Sequence, residues 1–459
     1  MNVFLFFLII IVVNSYVLFP FNITTFNNKH YLTIPVSFGI PEEQKFNLAI
    51  DTSLANSWIA HKNCFKCNLI SENLYDDKKS SKSNLTKLNN YLYDEDGNIN
   101  GYITYDRVNL HDSIIFDKFG FISVYEINDF YDYIYGKLGF GFRGFYNGYF
   151  NLFEMLKKNE KIRNRVFSLD FKSSENGILY LDNFFGTETN YFCNLSNYEN
   201  LNIIYRQGWV CDFSHIIITD YFPVLSEGIE LVSKVLFDTS YEFISVPYKY
   251  FYQFKENLFD AYFSYKCDLK RIKNNNIEEF YYICRNEDLN FKKLNLTFVI
   301  DGYGYSLNIK NFFNYNNLTN TYESLIHFIK NIVIDDETNY FNDDDKEEEN
   351  VFIFGFPFIK NFITRFDFDN KLVGFLPKNS NIIDMKSKWK KWKENWLKTQ
   401  RHLEYQRNMK KLFIIVLIIS IMLVLIVGII YLRRLKNKKN LDEKKPLFKN
   451  EGNNEELFN

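Results

Sequence analysis

The hydrophobic pattern of this chain is built from short apolar runs that read as buried strands, and two of them end alike. LAIDTSLANSW closes at Trp58 and VLFDTSYEFISVP closes at Pro247. In each, the apolar stretch delivers Asp-Thr-Ser into a turn. Two longer apolar runs read differently. Residues 3–13, VFLFFLIIIVV, have about the length of a signal-peptide core and lead into Asn14 and Ser15, although the usual positive residue in front is missing. Leu412 to Leu432 carries no charge and is long enough for a helix across a hydrocarbon layer of roughly 30 Å. RRLKNKK follows it and places the tail in the cytoplasm. Lys410 and Lys411 on the other flank weaken that charge argument, and the signal run favours a type I topology. Just before the span, Trp389, Trp392 and Trp396 share one face of a basic helix. Such a helix either lies at the membrane interface or forms a solvated stalk whose tryptophans pack on the body.

Asp51 and Asp238 are the candidate chemistry. A carboxylate directly behind a buried strand is costly unless something neutralises or hydrogen-bonds it. Two such residues, one per half of the chain, can solve that problem together by sharing one proton, which leaves one carboxyl to donate and the other to activate water.

On these residues the chain resembles the pepsin-like aspartic proteases, which carry Asp-Thr-Gly once in each of two homologous β-lobes. The likeness runs in order from Tyr31 to Pro377. YLTIPVSFGIPEEQKFNLAID resembles the first hairpin leading into the first Asp strand, and Trp58 falls where the family keeps a Trp behind its flap. YLYDEDGNINGYITYDRV resembles the flap, IYGKLGFGF the hydrophobic-hydrophobic-Gly strand beneath the first Asp, and RVFSLDFKSSENGILYLDNF the connection between lobes. VFIFGFPFIKNFITRFDFDNKLVGFLP follows the closing strands, with Ile353, Phe354 and Gly355 as the second hydrophobic-hydrophobic-Gly. The resemblance implies a mainly all-β, bilobal fold with the cleft between the lobes, followed here by a C-terminal transmembrane helix. It implies an aspartic endopeptidase with Asp51 and Asp238 as the catalytic pair, Thr52 and Thr239 interlocking across the lobes, and Trp58, Ser53 and Ser240 as supports. At the flap tip, gapless counting puts Asp94 at the family's Tyr, and one extra tip residue puts Tyr93 there; Gly97 completes the set expected to meet substrate.

The departures matter as much. The family's third motif residue is Gly and its fourth a Ser or Thr whose hydroxyl bonds a carboxylate; here they are Ser53 and Leu54 in one lobe and Ser240 and Tyr241 in the other. Losing a hydrogen bond to the ionised form raises a carboxyl pKa, and a serine hydroxyl turned inward restores it. Phe356, where many relatives carry a polar or acidic residue, makes the site drier. A catalytically inactive relative that binds peptide or cargo is therefore the alternative to an active protease, with a membrane-tethered adhesion protein a distant third.

The expected organisation is a signal peptide at 1–17, an N-terminal β-lobe at 18–205, a C-terminal β-lobe at 206–380, a basic Trp-rich juxtamembrane helix at 381–411, the transmembrane helix at 412–432 and a cytoplasmic tail at 433–459. Little room is left between the signal run and Tyr31 for a prosegment, so with its span the chain looks like the membrane-anchored, plasmepsin-like members of the family. Six cysteines in a secretory context read as disulfides. The family has bridges near Cys267 with Cys284 and near Cys64 with Cys67; the short CFKC spacing leaves a redox or metal-binding motif as the alternative there, and Cys193 with Cys211 remain as the third pair. Asn22, Asn84, Asn194, Asn295 and Asn317 stand in Asn-x-Ser/Thr triplets and are glycosylation candidates. A net charge of −2 argues against a nucleic-acid surface. The expected partners are a peptide or protein substrate and the membrane, for a monomeric, single-pass protein of the secretory pathway with no cofactor and no metal.

Overall fold

The computed structural model describes residues 17–26, 29–65, 67, 74–94, 97–112, 114–128, 135–142, 151–182, 191–196, 208–219, 228–263, 266–274, 277–285, 291, 294–331, 351–378, 381–386, 409, 428, 429 and 432. The chain divides into two compact units, Met1–Lys386 and Ser387–Asn459. The first contains two large sheets, one of 13 strands and one of 12.

Burial explains which runs became strands. Gly136–Gly139, Val166–Phe171, Ile244–Pro247 and Val351–Phe354 are buried at every position, as central strands covered on both faces must be. Ile277–Arg285 alternates buried and more exposed residues along its length, the period of a half-buried strand. The abundance of Phe becomes packing: Trp209 is fully buried among Phe142, Phe167, Phe366 and Phe368, and its Nε1–H donates to the Phe140 carbonyl at 2.9 Å. Each such ring taken from water contributes roughly 1.5–3 kcal/mol.

The two sheets follow the halves of the sequence with one exchange. The hairpin Phe362–Asp367 and Leu372–Pro377 comes from the second half but lies in the first sheet, where Phe362–Asp367 pairs with Val166–Phe171. A lobe boundary at 205/206 separates the two Asp motifs, yet the closing strands cross back over it. Phe192–Asn194 extends the same sheet beside Leu372–Pro377, and Cys193 in it is bridged to Cys211 of the strand Trp209–Thr219 in the second sheet. Cys64 is bridged to Cys67, and Cys267 to Cys284, so all six cysteines are oxidised.

Both ends differ from or escape the expected boundaries. Val17, the last residue of the proposed signal peptide, already opens the strand Val17–Phe26 and pairs with Leu181; residues 1–16 lie outside the described set. Asn381–Asp384 is a strand rather than the start of a helix, because its backbone completes the ladder of Tyr303–Asn308. The tryptophans at 389, 392 and 396 and most of 412–432 lie outside the described residues. Met409, Gly428, Ile429 and Leu432 are helical, and no helix among the described residues is long and apolar enough to cross a membrane.

Candidate active site

Each Asp-Thr-Ser turn is held by a strand that threads beside it. In the first lobe Gln44–Asp51 runs parallel to Gly136–Gly139, bringing Gly139 opposite Asp51. Phe140 N–H then donates to the Asp51 carbonyl and Gly141 N–H to the Leu54 carbonyl, both at 2.7 Å. In the second lobe Gly228–Phe237 runs parallel to Val351–Phe354. Asp238 N–H donates to the Phe354 carbonyl at 3.1 Å and Phe356 N–H to the Tyr241 carbonyl at 2.8 Å. The glycine in each threading strand is required by close approach: a Cβ on Gly139 would lie 2.5 Å from the Ala55 carbonyl carbon, and one on Gly355 2.1 Å from the Tyr241 oxygen.

The threonines lock the two turns together. Thr52 N–H donates to Thr239 Oγ1 at 3.3 Å and Thr239 N–H to Thr52 Oγ1 at 3.1 Å. Each hydroxyl donates onward into the opposite lobe, Thr52 to the Phe237 carbonyl at 2.9 Å and Thr239 to the Ile50 carbonyl at 2.8 Å. Both threonines and both aspartates are buried, so every bond of this crossed set is shielded from competing water and fixes the carboxyls relative to each other.

The serines turn inward. Asp51 Oδ1 accepts from Ser53 N–H at 2.8 Å, Ser53 Oγ at 2.7 Å and Leu54 N–H at 3.0 Å. Asp238 Oδ1 accepts from Ser240 N–H at 2.9 Å and Ser240 Oγ at 2.5 Å. A hydroxyl at the third motif position thus supplies in each lobe the donor that Leu54 and Tyr241 do not. Burial pushes the Asp238 carboxyl up to about 6, and the Asp51 charge adds to the rise; the two Ser240 bonds and the Lys137 ammonium oppose it.

Lys137 is a residue of the site that the motif reading passed over. It is fully buried, opposite Ala49 on one side and Trp58 on the other. Its Nζ lies 3.1 Å from Asp51 Oδ2, an oxygen that takes no directed hydrogen bond from the described residues. The signal for it was a lysine at the centre of IYGKLGFGF, where the register makes Lys137-Leu138-Gly139 the triplet beneath Asp51 and so puts a cation at its first apolar place.

The other expected residues fall as follows. Trp58 is fully buried in a cluster with Leu54, Ile99, Ile122 and Val124, and Ile99 belongs to the hairpin expected to be the flap. That hairpin consists of Asn84–Asp94 and Gly97–His111, with Tyr93 opposite Asn98 and Asp94 opposite Gly97. The side chains of Tyr93 and Asp94 lie outside the described set, so the choice between them stays open. Phe356 packs its ring against Phe171 and His30, with the Lys360 ammonium 5.1 Å from the ring centre. No cluster of three metal-ligating side chains occurs among the described residues.

Two sheets that each thread a strand beside an Asp turn, joined by interlocked threonines around a buried carboxyl pair, define the bilobal aspartic-protease class. The eukaryotic aspartyl protease family model matches residues 30–378. The chain belongs to that family.

Proposed function

We propose that the protein is an aspartic endopeptidase acting through Asp51 and Asp238. The observation that carries this reading is the hydrogen-bonded turn geometry: both carboxyls keep inward-facing donors from Ser53 and Ser240 although both motifs depart from Asp-Thr-Gly. With one proton between them, one carboxyl takes a proton from water as the other gives a proton to the scissile carbonyl oxygen. Water adds to the carbonyl carbon; the carboxyl that took the water proton then passes it to the peptide nitrogen as the C–N bond breaks, the other recovers its proton from the intermediate's hydroxyl, and no covalent bond to the enzyme forms. An extended peptide would lie under the hairpin of Tyr93 and Asp94, its backbone bonded to that strand.

The apolar run Leu412–Leu432, the basic residues behind it and the three disulfides support a membrane-anchored member whose body faces an oxidising, luminal or extracellular space. Its substrates would be proteins of the secretory pathway or cell surface. The test is cleavage of a mixed peptide library by the full-length protein in detergent from acid to neutral pH, read by mass spectrometry. Cleavage that disappears in folded Asp51→Ala and Asp238→Ala variants supports the proposal. Cleavage surviving in the double variant, or none by the wild type at any pH, overturns it, and the second outcome leaves a peptide-binding relative.

A further inference from the structure

The two Asp turns are tied by more than their threonines. Trp209 opens the strand Trp209–Thr219 and pairs with Phe237, the residue before Asp238. Its indole Nε1–H crosses to the first lobe and donates to the Phe140 carbonyl at 2.9 Å. Phe140 N–H in turn donates to the Asp51 carbonyl at 2.7 Å. We propose that Trp209 is a positioning residue of the active site: with its backbone in the second lobe and its indole bonded into the first, it fixes the two catalytic turns relative to each other. This deepens the proteolytic reading and rests on it for the effect on rate, while the placement of the carboxyls can be read without any turnover.

The surroundings of the indole make this contact stiff. Trp209 and Phe140 are both buried. The indole is enclosed by Phe142, Phe366 and Phe368, with ring centres 5.2, 5.1 and 4.7 Å away. Just before it, Gly208 runs close to both lobes: a Cβ there would lie 2.2 Å from the Leu236 side chain and 3.6 Å from Ser53 Cα. Two residues beyond Trp209, Cys211 is bridged to Cys193 of the first sheet. The segment 208–211 therefore touches both the strand that leads to Asp238 and the turn that follows Asp51, and the indole bond lies in the middle of it.

Thr52 and Thr239 join the turns at one place, and two bodies joined at one place can still pivot about it. A tie at Phe140, on the threading strand rather than in the turn, removes that freedom. A buried hydrogen bond suits the task, because breaking it leaves a carbonyl oxygen short of a donor away from water. Rate is sensitive to such placement, since a displacement on the order of 1 Å between reacting groups costs about a hundredfold. Trp209 is too deeply buried to touch substrate; it acts through Phe140 on Asp51 and through Phe237 on Asp238.

The experiment removes the donor and keeps the shape. Benzothienylalanine at position 209 puts sulfur in place of the N–H, and 5-fluorotryptophan at the same position keeps the N–H as a control. Each full-length protein, labelled with carboxyl-13C aspartate and checked for fold by circular dichroism, is compared with wild type in two readouts. One is kcat and KM on a cleaved peptide. The other is the pH midpoint of the protonated Asp238 infrared band, recognised by its absence in Asp238→Asn. Without the donor, kcat should fall by about tenfold to a hundredfold at a nearly unchanged KM. The Asp238 midpoint should fall from about 6 toward the ordinary carboxyl range, because burial and the Asp51 charge, which raise it, both weaken as the turns part. The fluorinated control should match wild type in both. Should the benzothienylalanine protein fail to fold, Trp209→Phe is compared with Phe368→Leu, which trims the packing on the indole and keeps its donor. An unmoved midpoint overturns the proposal, and so does full kcat in a protein that cleaves. An equal loss in the fluorinated control or in Phe368→Leu also overturns it, by making the indole a filler. Wild type that never cleaves, with a midpoint that shifts on loss of the donor, keeps Trp209 in this role and removes the protease reading. Cleavage with no shift does the reverse.

Discussion

Replacing Asp238 by Asn should stabilise the fold at neutral pH while abolishing cleavage. The Asp238 carboxyl is raised from its ordinary 3.8 to about 6 by burial and by the Asp51 charge. In the unfolded chain it loses its proton near 4, and in the native state it keeps it until about 6. Across that window the native state binds more protons than the unfolded one, so stability falls as pH rises. The favourable contribution is complete below the unfolded pKa and gone above the folded one. Two pKa units at 1.36 kcal/mol each give about 3 kcal/mol lost between pH 4 and pH 7. An asparagine matches the carboxyl in shape, accepts the Ser240 donors through its oxygen and never ionises. Urea unfolding of wild type and Asp238→Asn, followed through the buried Trp58 and Trp209, should give a stability difference that grows in favour of the variant by about 3 kcal/mol from pH 4 to pH 7. Contributions common to both proteins cancel in that comparison. A difference flat with pH, or one growing in the opposite direction, would refute the reasoning, whether or not the protein cleaves anything.

Three further outcomes follow from the same geometry. Ser240→Ala keeps the backbone donor but loses the 2.5 Å hydroxyl bond; a bond to a charged group is worth about 1.5–3 kcal/mol, so the upper limb of the pH–rate profile should rise by about one unit, and an unmoved limb would show that the hydroxyl does not hold the ionised form. Thr52→Val strands the Thr239 N–H and the Phe237 carbonyl, which are buried; denaturant unfolding should show a loss of about 1–3 kcal/mol, with Thr239→Val costing a similar amount and the double variant less than the sum. Gly355→Ala puts a Cβ 2.1 Å from the Tyr241 oxygen, so the second threading strand must move, and both a stability loss of about 1–3 kcal/mol and a fall in kcat are expected; a variant with full activity would show that this approach is not rigid.

The parts of the fold that the sequence made legible are those whose physics is local. A buried strand ending in Asp-Thr-Ser and a fully apolar VFIF before Gly355 each announce themselves within a few residues. The closing hairpin of Phe362–Asp367 and Leu372–Pro377 does not. Its residues alternate as any strand would, and nothing within it says that its partner is Val166–Phe171, far back in the chain, rather than a strand of its own lobe. Asn381–Asp384 departs from the expected helix for a related reason. Basic and aromatic spacing downstream favours a helix, but the open edge of Tyr303–Asn308 supplies the hydrogen bonds that decide the local structure. Pairing across long sequence separations overrides propensity in short segments.

In the site the same distinction separates the serines from the lysine. Ser53 and Ser240 lie two residues from the carboxyls they bond, so their inward turn is a local possibility that the motif itself raises. Lys137 is far from Asp51 in sequence, and its meaning appears only when parallel pairing sets Ala49 beside Lys137 and Asp51 beside Gly139. A lysine within an apolar strand is by itself a conflict, since burying the charge alone is expensive. A carboxylate arriving from elsewhere eases that conflict, and Asp51 Oδ2, which takes no directed hydrogen bond from the described residues, lies within reach of the ammonium. The buried contact at 3.1 Å joins two groups that are each costly to bury alone. On that argument Lys137 and Asp51 should be coupled in stability. Lys137→Met and Asp51→Asn should each destabilise the fold in denaturant unfolding, and a double-mutant cycle in which the two losses simply add would show that the contact contributes nothing.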